Sequence, residues 1–345
     1  MNPYQEFAER AFWKLAVDGK RAAEIDDLWR PKFHIDEHTS IVTAGSCFAQ
    51  HISKALRSAK YNWLDLEPCA FLPAGDREAF GYGVFSFRTG NIYTAAMLLQ
   101  WLKWALEKTE PPDELWQRDG RFIDPFRPAI EPDGFESGHE LIELRKQTLA
   151  AVRKAVEDAE LWVFTLGLTE AWQNIRHGYW YSMCPGTVAG EFDPRQHRFH
   201  NFTHAEVTRD LQEIVALIRA IRPGAKFLFT VSPVPLTATA SGQHVMVATE
   251  YSKSVLRAAA GEVVLSDDGA DYFSSYEIIT SHPYRGAFFN DNMRTVTPDG
   301  VAFVMGNFFS ALGPAKPVAA DESKSLEYAD DPQCEDALLA AFRPT

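Results

Sequence analysis

Three short apolar runs constrain the fold of this chain more than any other feature: Ser40-Ile-Val-Thr-Ala44, Leu161-Trp-Val-Phe-Thr-Leu166 and Lys226-Phe-Leu-Phe-Thr-Val231. Each has the length and continuous apolar character of a strand buried on both faces of a sheet. Helical patterns lie between them, at Phe48–Arg57, about Ile92–Lys108, about 139–158, about 205–221 and about 247–260. Val263-Val-Leu-Ser266 reads as a fourth strand, and 298–312, opened by Thr297-Pro-Asp-Gly300, as a closing helix. Strands alternating with helices imply an α/β fold. Right-handed crossovers then make a three-layer α/β/α sandwich around a mostly parallel sheet the economical topology.

The flanks read differently. Residues 3–17 set Phe7, Ala11, Phe12 and Leu15 on one stripe, which predicts a helical extension within residues 1–38. The α/β domain is expected over 39–313, followed by an acidic, Pro- and Ala-rich tail at 314–345. A long insertion from Ala171 to His204, rich in aromatics and histidines, is expected to be irregular, and loops of that length are often functional. A formal net charge of -13 disfavours a nucleic-acid partner, which calls for a basic surface. Cys47, Cys69, Cys184 and Cys334 contain no Cys-x-x-Cys pair, so neither a zinc knuckle nor a disulfide scaffold is indicated. No signal-peptide pattern opens the sequence and no apolar run has the length of a membrane helix, so the expected location is cytoplasmic.

Ligands of open parallel sheets bind beyond the carboxyl ends of the strands, which directs attention to residues 44–47, 86–94, 167–172 and 232–245. In the first of these, Gly45-Ser46-Cys47 joins a strand to a helix. Ser46 is a candidate nucleophile there, because the helix N-terminus offers N–H donors to a developing oxyanion and Gly45 permits the tight turn. A plain helix cap explains Ser46 equally well on position alone. Cys47 is a rival nucleophile, since a thiol at a helix N-terminus ionises more readily. His197, His200 and His204 have the residue type for a metal site, but no cysteine pair accompanies them, and no metal is assigned. Arg88, Arg285 and Arg294 are candidates for binding an anionic substrate group. Trp172, Tyr179, Trp180 and Tyr181 offer either stacking faces for sugar rings or packing for the insertion itself.

Gly45-Ser-Cys-Phe-Ala49 resembles the signature of the GSCFA family. Arg88–Thr94, Phe164–Trp172, Thr230–Pro235, Tyr251–Leu256 and Tyr272–Ile278 are similar to further segments of that family, in order over about residues 40–310. The resemblance implies a relation to SGNH (GDSL-like) hydrolases, with Ser46 as the nucleophile of an esterase or O-acyltransferase and a small-molecule or carbohydrate substrate. It also implies oxyanion donors on separate loops, here the Ser46 N–H, Gly90 and Asn91, although Asn91 is also a natural helix cap. Gly167-Leu-Thr169-Glu170 stands where such enzymes carry Gly-x-Asn-Asp, so Thr169 takes the Asn position. Glu170 then orients a histidine, binds a substrate hydroxyl or opens a helix. Ser232 follows the third strand at the same edge. No cofactor is implied, and a transferase would need an acyl donor such as acyl-CoA.

The Asp-x-x-His block that ends such enzymes is missing. Asn292 and Thr295 stand in its place before Pro298-Asp-Gly300. His244, in the loop after the third strand, is the first candidate base, and His282 the second. The competing function class, suggested by the missing block, is a ligand-binding protein on a hydrolase scaffold.

Overall fold

The computed structural model describes residues 2–313, so the expected tail at 314–345 lies outside the described residues. In chain order the α-helices and strands are α1 (Trp13–Ala16), β1 (Ile41–Gly45), α2 (Ala49–Ser58), α3 (Ala74–Arg77), α4 (Ala95–Ala105), β2 (Trp116–Arg118), β3 (Arg121–Ile123) and α5 (Gly138–Asp158). They continue with β4 (Leu161–Leu166), β5 (Glu170–Asn174), β6 (Trp180–Tyr181), β7 (His197–Asn201), α6 (His204–Ile221), β8 (Lys226–Val231) and α7 (Val245–Ser266). The last are β9 (Ala270–Tyr272), α8 (Ser275–Thr280) and α9 (Pro298–Leu312).

The central sheet is parallel, in the order β1-β4-β8-β9. Alternate residues of its strands face two separate cores. Val42, Ala44, Trp162, Phe164, Phe227 and Phe229 pack with α4, α5, α6 and α7. Ile41, Leu161, Val163 and Leu228 pack with Phe48, with Ile52 and Leu56 of α2 and with residues of α8 and α9. This is the expected three-layer α/β/α arrangement. Each large apolar side chain so buried contributes roughly 1.5–3 kcal/mol, which is what holds the sheet between its helical layers. The helices start where side chains satisfy their first N–H groups. Thr94 accepts from Met97 N–H, Ser137 from Glu140 N–H and Thr297 from Gly300 N–H, and Thr203 with Glu206 forms a capping box.

Three expectations are corrected. The stripe at 3–17 does not form one helix: two short 3₁₀ turns precede α1, and Ala8 and Phe12 between them are extended. Phe7 and Leu15 stay about half exposed, so the stripe meets no core that would stabilise a longer helix. Val263–Ser266 belongs to α7, because Ala259, Ala260 and Val263 continue its buried stripe, and the fourth strand is β9 instead. The insertion is not irregular. Its β5, β6 and β7 form an antiparallel sheet in the order β6-β5-β7, with Trp172 opposite both Tyr181 and Phe199.

Candidate active site at the end of β1

β1 ends in Gly45, whose φ of 141° lies outside the range of ordinary side chains. A Cβ at this position would overlap the Thr165 carbonyl on β4. Only glycine therefore lets β1 stay in register with β4 and still turn into Ser46. Ser46 and Cys47 then open a tight turn, with the Ser46 carbonyl accepting from Ala49 N–H at 2.8 Å and that of Cys47 from Gln50 N–H at 3.1 Å.

The Ser46 side chain is 2% exposed, and its Oγ has no hydrogen-bond partner. It does not cap α2, whose N-cap position is Phe48. A buried hydroxyl left without a partner costs about 1–3 kcal/mol, and such groups call for an explanation outside folding. The Ser46 N–H is not an available oxyanion donor, because it donates to the Thr165 carbonyl at 3.1 Å. Cys47 is also buried.

Two further loops meet this turn. Residues 86–92 run beside β1: Ser86 N–H donates to the Thr43 carbonyl at 3.3 Å and Ile92 N–H to that of Gly45 at 2.8 Å. This places Gly90 and Asn91 next to the turn, and Gln50 Nε2 donates to Asn91 Oδ1 at 3.2 Å. Asn91 does not cap α4, since Thr94 does.

The second is the loop after β4. Gly167 packs directly on the Ser46 turn, since a Cβ there would lie 2.9 Å from Ser46 Cβ and 3.0 Å from the Tyr93 carbonyl oxygen. Its N–H donates to that Tyr93 carbonyl at 3.0 Å, and its own carbonyl accepts from Lys253 Nζ at 2.6 Å. Gly167 thus has no donor left for a ligand. Thr169 is likewise a builder of the loop: its hydroxyl donates to Asn201 Oδ1 at 2.6 Å and its N–H to Ser252 Oγ at 2.9 Å.

Glu170 orients no histidine in this structure. It accepts from Thr239 Oγ1 at 2.6 Å and Ala240 N–H at 3.4 Å. Burial raises its pKa, with those two hydrogen bonds acting in the opposite direction. Ser232 N–H donates to the Leu166 carbonyl, and its Oγ accepts from Val234 N–H, so it shapes the turn after β8.

Neither candidate base engages Ser46. His244 is exposed at the N-cap of α7, its Nδ1 accepting from Met246 N–H at 3.2 Å. His282 is exposed and stacks on Trp13, with ring centroids 5.3 Å apart. The segment in place of the missing block folds as a turn: Asn292 Oδ1 accepts from the N–H groups of Arg294 and Thr295, both at 2.9 Å. His51, on α2, is buried against Phe48, and burial, together with Lys54, lowers its pKa to about 4.

The other candidates fall outside the site. His197 Nδ1 accepts from Asp193 N–H, while His200 faces Glu206 and His204 faces Glu262, so the three rings hold three different partners. Arg88 is a scaffold residue and not an anion binder. Its side chain is 2% exposed, paired with Glu131 at 2.7 Å and donating to the Phe80 carbonyl. Of the aromatics, Tyr181 is fully buried and Trp172 packs on Phe192 and Phe199. Tyr179 and Trp180 do line a cleft of about 590 Å³, with Gln100, Gln173, Arg198 and His200.

Two features were missed from sequence. Lys253, 1% exposed, was part of the quoted Tyr251–Leu256 segment, and a lysine inside the apolar stripe of a helix was the available signal. The second is a buried ionic cluster under the 86–94 loop. Asp124 lies between Arg127 at 2.8 Å and Arg145 at 2.9 Å. Burial pushes its carboxyl pKa up, but the two guanidinium groups outweigh this and hold it below the ordinary value. Arg127 also donates to the Arg88 carbonyl at 3.0 Å, and Glu67 accepts from Arg88 N–H and from the Thr148 hydroxyl. The cluster thereby ties α5 to the strand of chain that carries Gly90 and Asn91.

No curated protein matches the sequence. A family model does: that of the GSCFA family, over residues 40–308, the span from the start of β1 to α9. With that match covering most of its length, and the signature residues standing at the turn built above, the chain belongs to the GSCFA family.

Proposed function

We propose that this protein is a serine-dependent acyl-transfer enzyme, an esterase or O-acyltransferase, with Ser46 as its nucleophile. The observation that carries the reading is the buried, unpartnered Ser46 hydroxyl on a strand-to-helix turn that only glycine at position 45 allows. In the first half-reaction Ser46 Oγ forms a bond to the acyl carbon, the ester C–O bond breaks, and the Ser46 proton goes to the departing alcohol. Water or an acceptor alcohol then takes the acyl group and returns a proton to Ser46. Gly90 and Asn91 supply the donors for the oxyanion, by their place beside the turn. A carbohydrate alcohol is the favoured acceptor or leaving group.

A second reading, a ligand-binding protein on the same scaffold, is favoured by the positions of His244 and His282, which leave Ser46 without a histidine partner. Hydrolysis of p-nitrophenyl acetate by wild type, Ser46→Ala, Cys47→Ala and His244→Ala separates these readings, with folding of each checked by circular dichroism. The enzyme reading expects activity to vanish in Ser46→Ala and to survive in Cys47→Ala. Equal rates in wild type and Ser46→Ala would sink it, and loss in Cys47→Ala alone would move the nucleophile to the thiol.

A further inference from the structure

A cleft of about 370 Å³ opens beside the Ser46 turn, and Gln50, Gly90 and Asn91 form one part of its wall. The position of these three follows from the backbone. Gln50 N–H is bonded to the Cys47 carbonyl, and Asn91 immediately precedes Ile92, whose N–H holds the Gly45 carbonyl. The amide pair Gln50–Asn91 thus lies next to the candidate nucleophile and its flanking glycine.

The rest of the lining is of a different kind. Val84, Phe85, Pro128, Ala129 and Ile130 make it apolar, and no carboxylate takes part. Arg118 is the one charged group in the lining, and its Nη2 is turned to the Pro132 carbonyl at 3.0 Å. Such walls return no hydrogen bonds to a hydroxyl-rich ligand, so burying a sugar here would strip its hydroxyls of water without replacement. A hydrocarbon loses nothing on entering and gains from leaving water.

We propose that this cleft holds the acyl chain of the substrate, with the ester carbonyl at Gln50, Gly90 and Asn91 and an apolar chain of several carbons along Val84, Phe85 and Ala129. The inference rests on Ser46 being the nucleophile, and it assigns the chemical class of the transferred group. The preferred acyl donor is then an ester of an unbranched fatty acid rather than an acetate.

The test uses the full chain with p-nitrophenyl acetate, butyrate, hexanoate and octanoate. In wild type, kcat/KM is expected to rise about fourfold per methylene, the transfer value of one buried CH₂, until the cleft is filled. Ala129→Trp, or Val84→Phe if the first variant does not fold, fills the space and is expected to flatten the rise. A flat or falling series in wild type, or a rise that persists in the filled variants, would overturn the proposal. Octanoate binding to Ser46→Ala by titration calorimetry separates the two levels. Binding lost in Ser46→Ala/Ala129→Trp supports the cleft even where the nucleophile reading has failed, whereas binding unchanged by Ala129→Trp refutes the cleft alone.

Discussion

Lys253 Nζ donates to the Gly167 carbonyl oxygen at 2.6 Å, and Gly167 in turn packs on Ser46. A charged-type side chain that is 1% exposed is thus spent on the loop that touches the candidate nucleophile. Replacing it with methionine keeps the volume but removes the donor. Lys253→Met is expected to lower stability by about 1–3 kcal/mol, the cost of a buried carbonyl losing its partner. It is also expected to slow covalent labelling of Ser46 by a small alkyl fluorophosphonate. Urea unfolding and labelling measured by mass spectrometry check both. Unchanged stability and labelling would show that the hydrogen bond supports neither the fold nor the site.

Gly167→Ala tests the same contact from the other side. The added methyl would stand 2.9 Å from Ser46 Cβ, closer than real side-chain atoms pack. Overpacking of this kind costs about 1–3 kcal/mol, so the fold is expected to survive. Displacing a reacting group by a fraction of an ångström to one ångström costs up to about a hundredfold in rate. The expected result is therefore native circular dichroism with labelling of Ser46 slowed at least about tenfold. A variant that labels at the wild-type rate would place the reactive atom elsewhere.

Asp124→Asn removes the carboxylate that bridges Arg127 and Arg145 while preserving its shape. Breaking a buried ion pair from one side leaves an uncompensated charge and costs about 3–5 kcal/mol. Because Arg127 also holds the Arg88 carbonyl, the damage is expected to reach the 86–94 loop. Hydrogen exchange should show amides of residues 86–92 opening before those of β4 and β8. Uniform exchange across the domain would separate the cluster from the loop.

His51 gives a pH dependence with a definite sign. Its folded-state pKa is lowered to about 4 by burial, with Lys54 adding to the effect, against an ordinary value of 6.5. Between these values the unfolded chain binds a proton that the folded chain refuses, so stability is complete above the upper value and falls as pH drops toward the lower one. The loss amounts to roughly 3 kcal/mol at most. Comparing wild type with His51→Phe by urea unfolding at several pH values checks this. The variant should lose less stability on acidification, and parallel curves would mean that the imidazole is protonated in the folded state.

The fold was legible because the sheet is buried on both faces. A strand covered on both sides must be apolar throughout, so Leu161–Leu166 and Lys226–Val231 stand out against any neighbour. Val263–Ser266 carried the same local signal and misled, since its helical stripe depends on Ala259 and Ala260 meeting the sheet. Ser46, Gly90 and Asn91 lie together in the structure because β1 ends at Gly45 and the 86–92 segment runs beside it. The positions of the candidate histidines could not be read in the same way. His244 and His282 lie in loops, and where a loop side chain points is set by partners such as Met246 N–H and Trp13 that leave no periodic trace. The Asp124 cluster was hidden for a related reason, because its members come from separate segments that only the tertiary fold brings together.

The handling of the two outer strands of the central sheet has a consequence for assembly. On β1, Ile41 exchanges hydrogen bonds with Asn62 and Leu64, Thr43 with Ser86, and the Gly45 carbonyl accepts from Ile92 N–H. At the other edge, the side-chain carboxylate of Asp271 on β9 accepts from the Trp29 indole N–H and Lys32 N–H. Along β1, segments distant in sequence thus occupy the positions where a foreign strand would otherwise pair, the usual protection against edge-to-edge aggregation. A peptide or a second copy cannot extend the sheet at β1 without first displacing the same chain that forms the wall of the site, so stickiness at this edge and loss of the site should appear together.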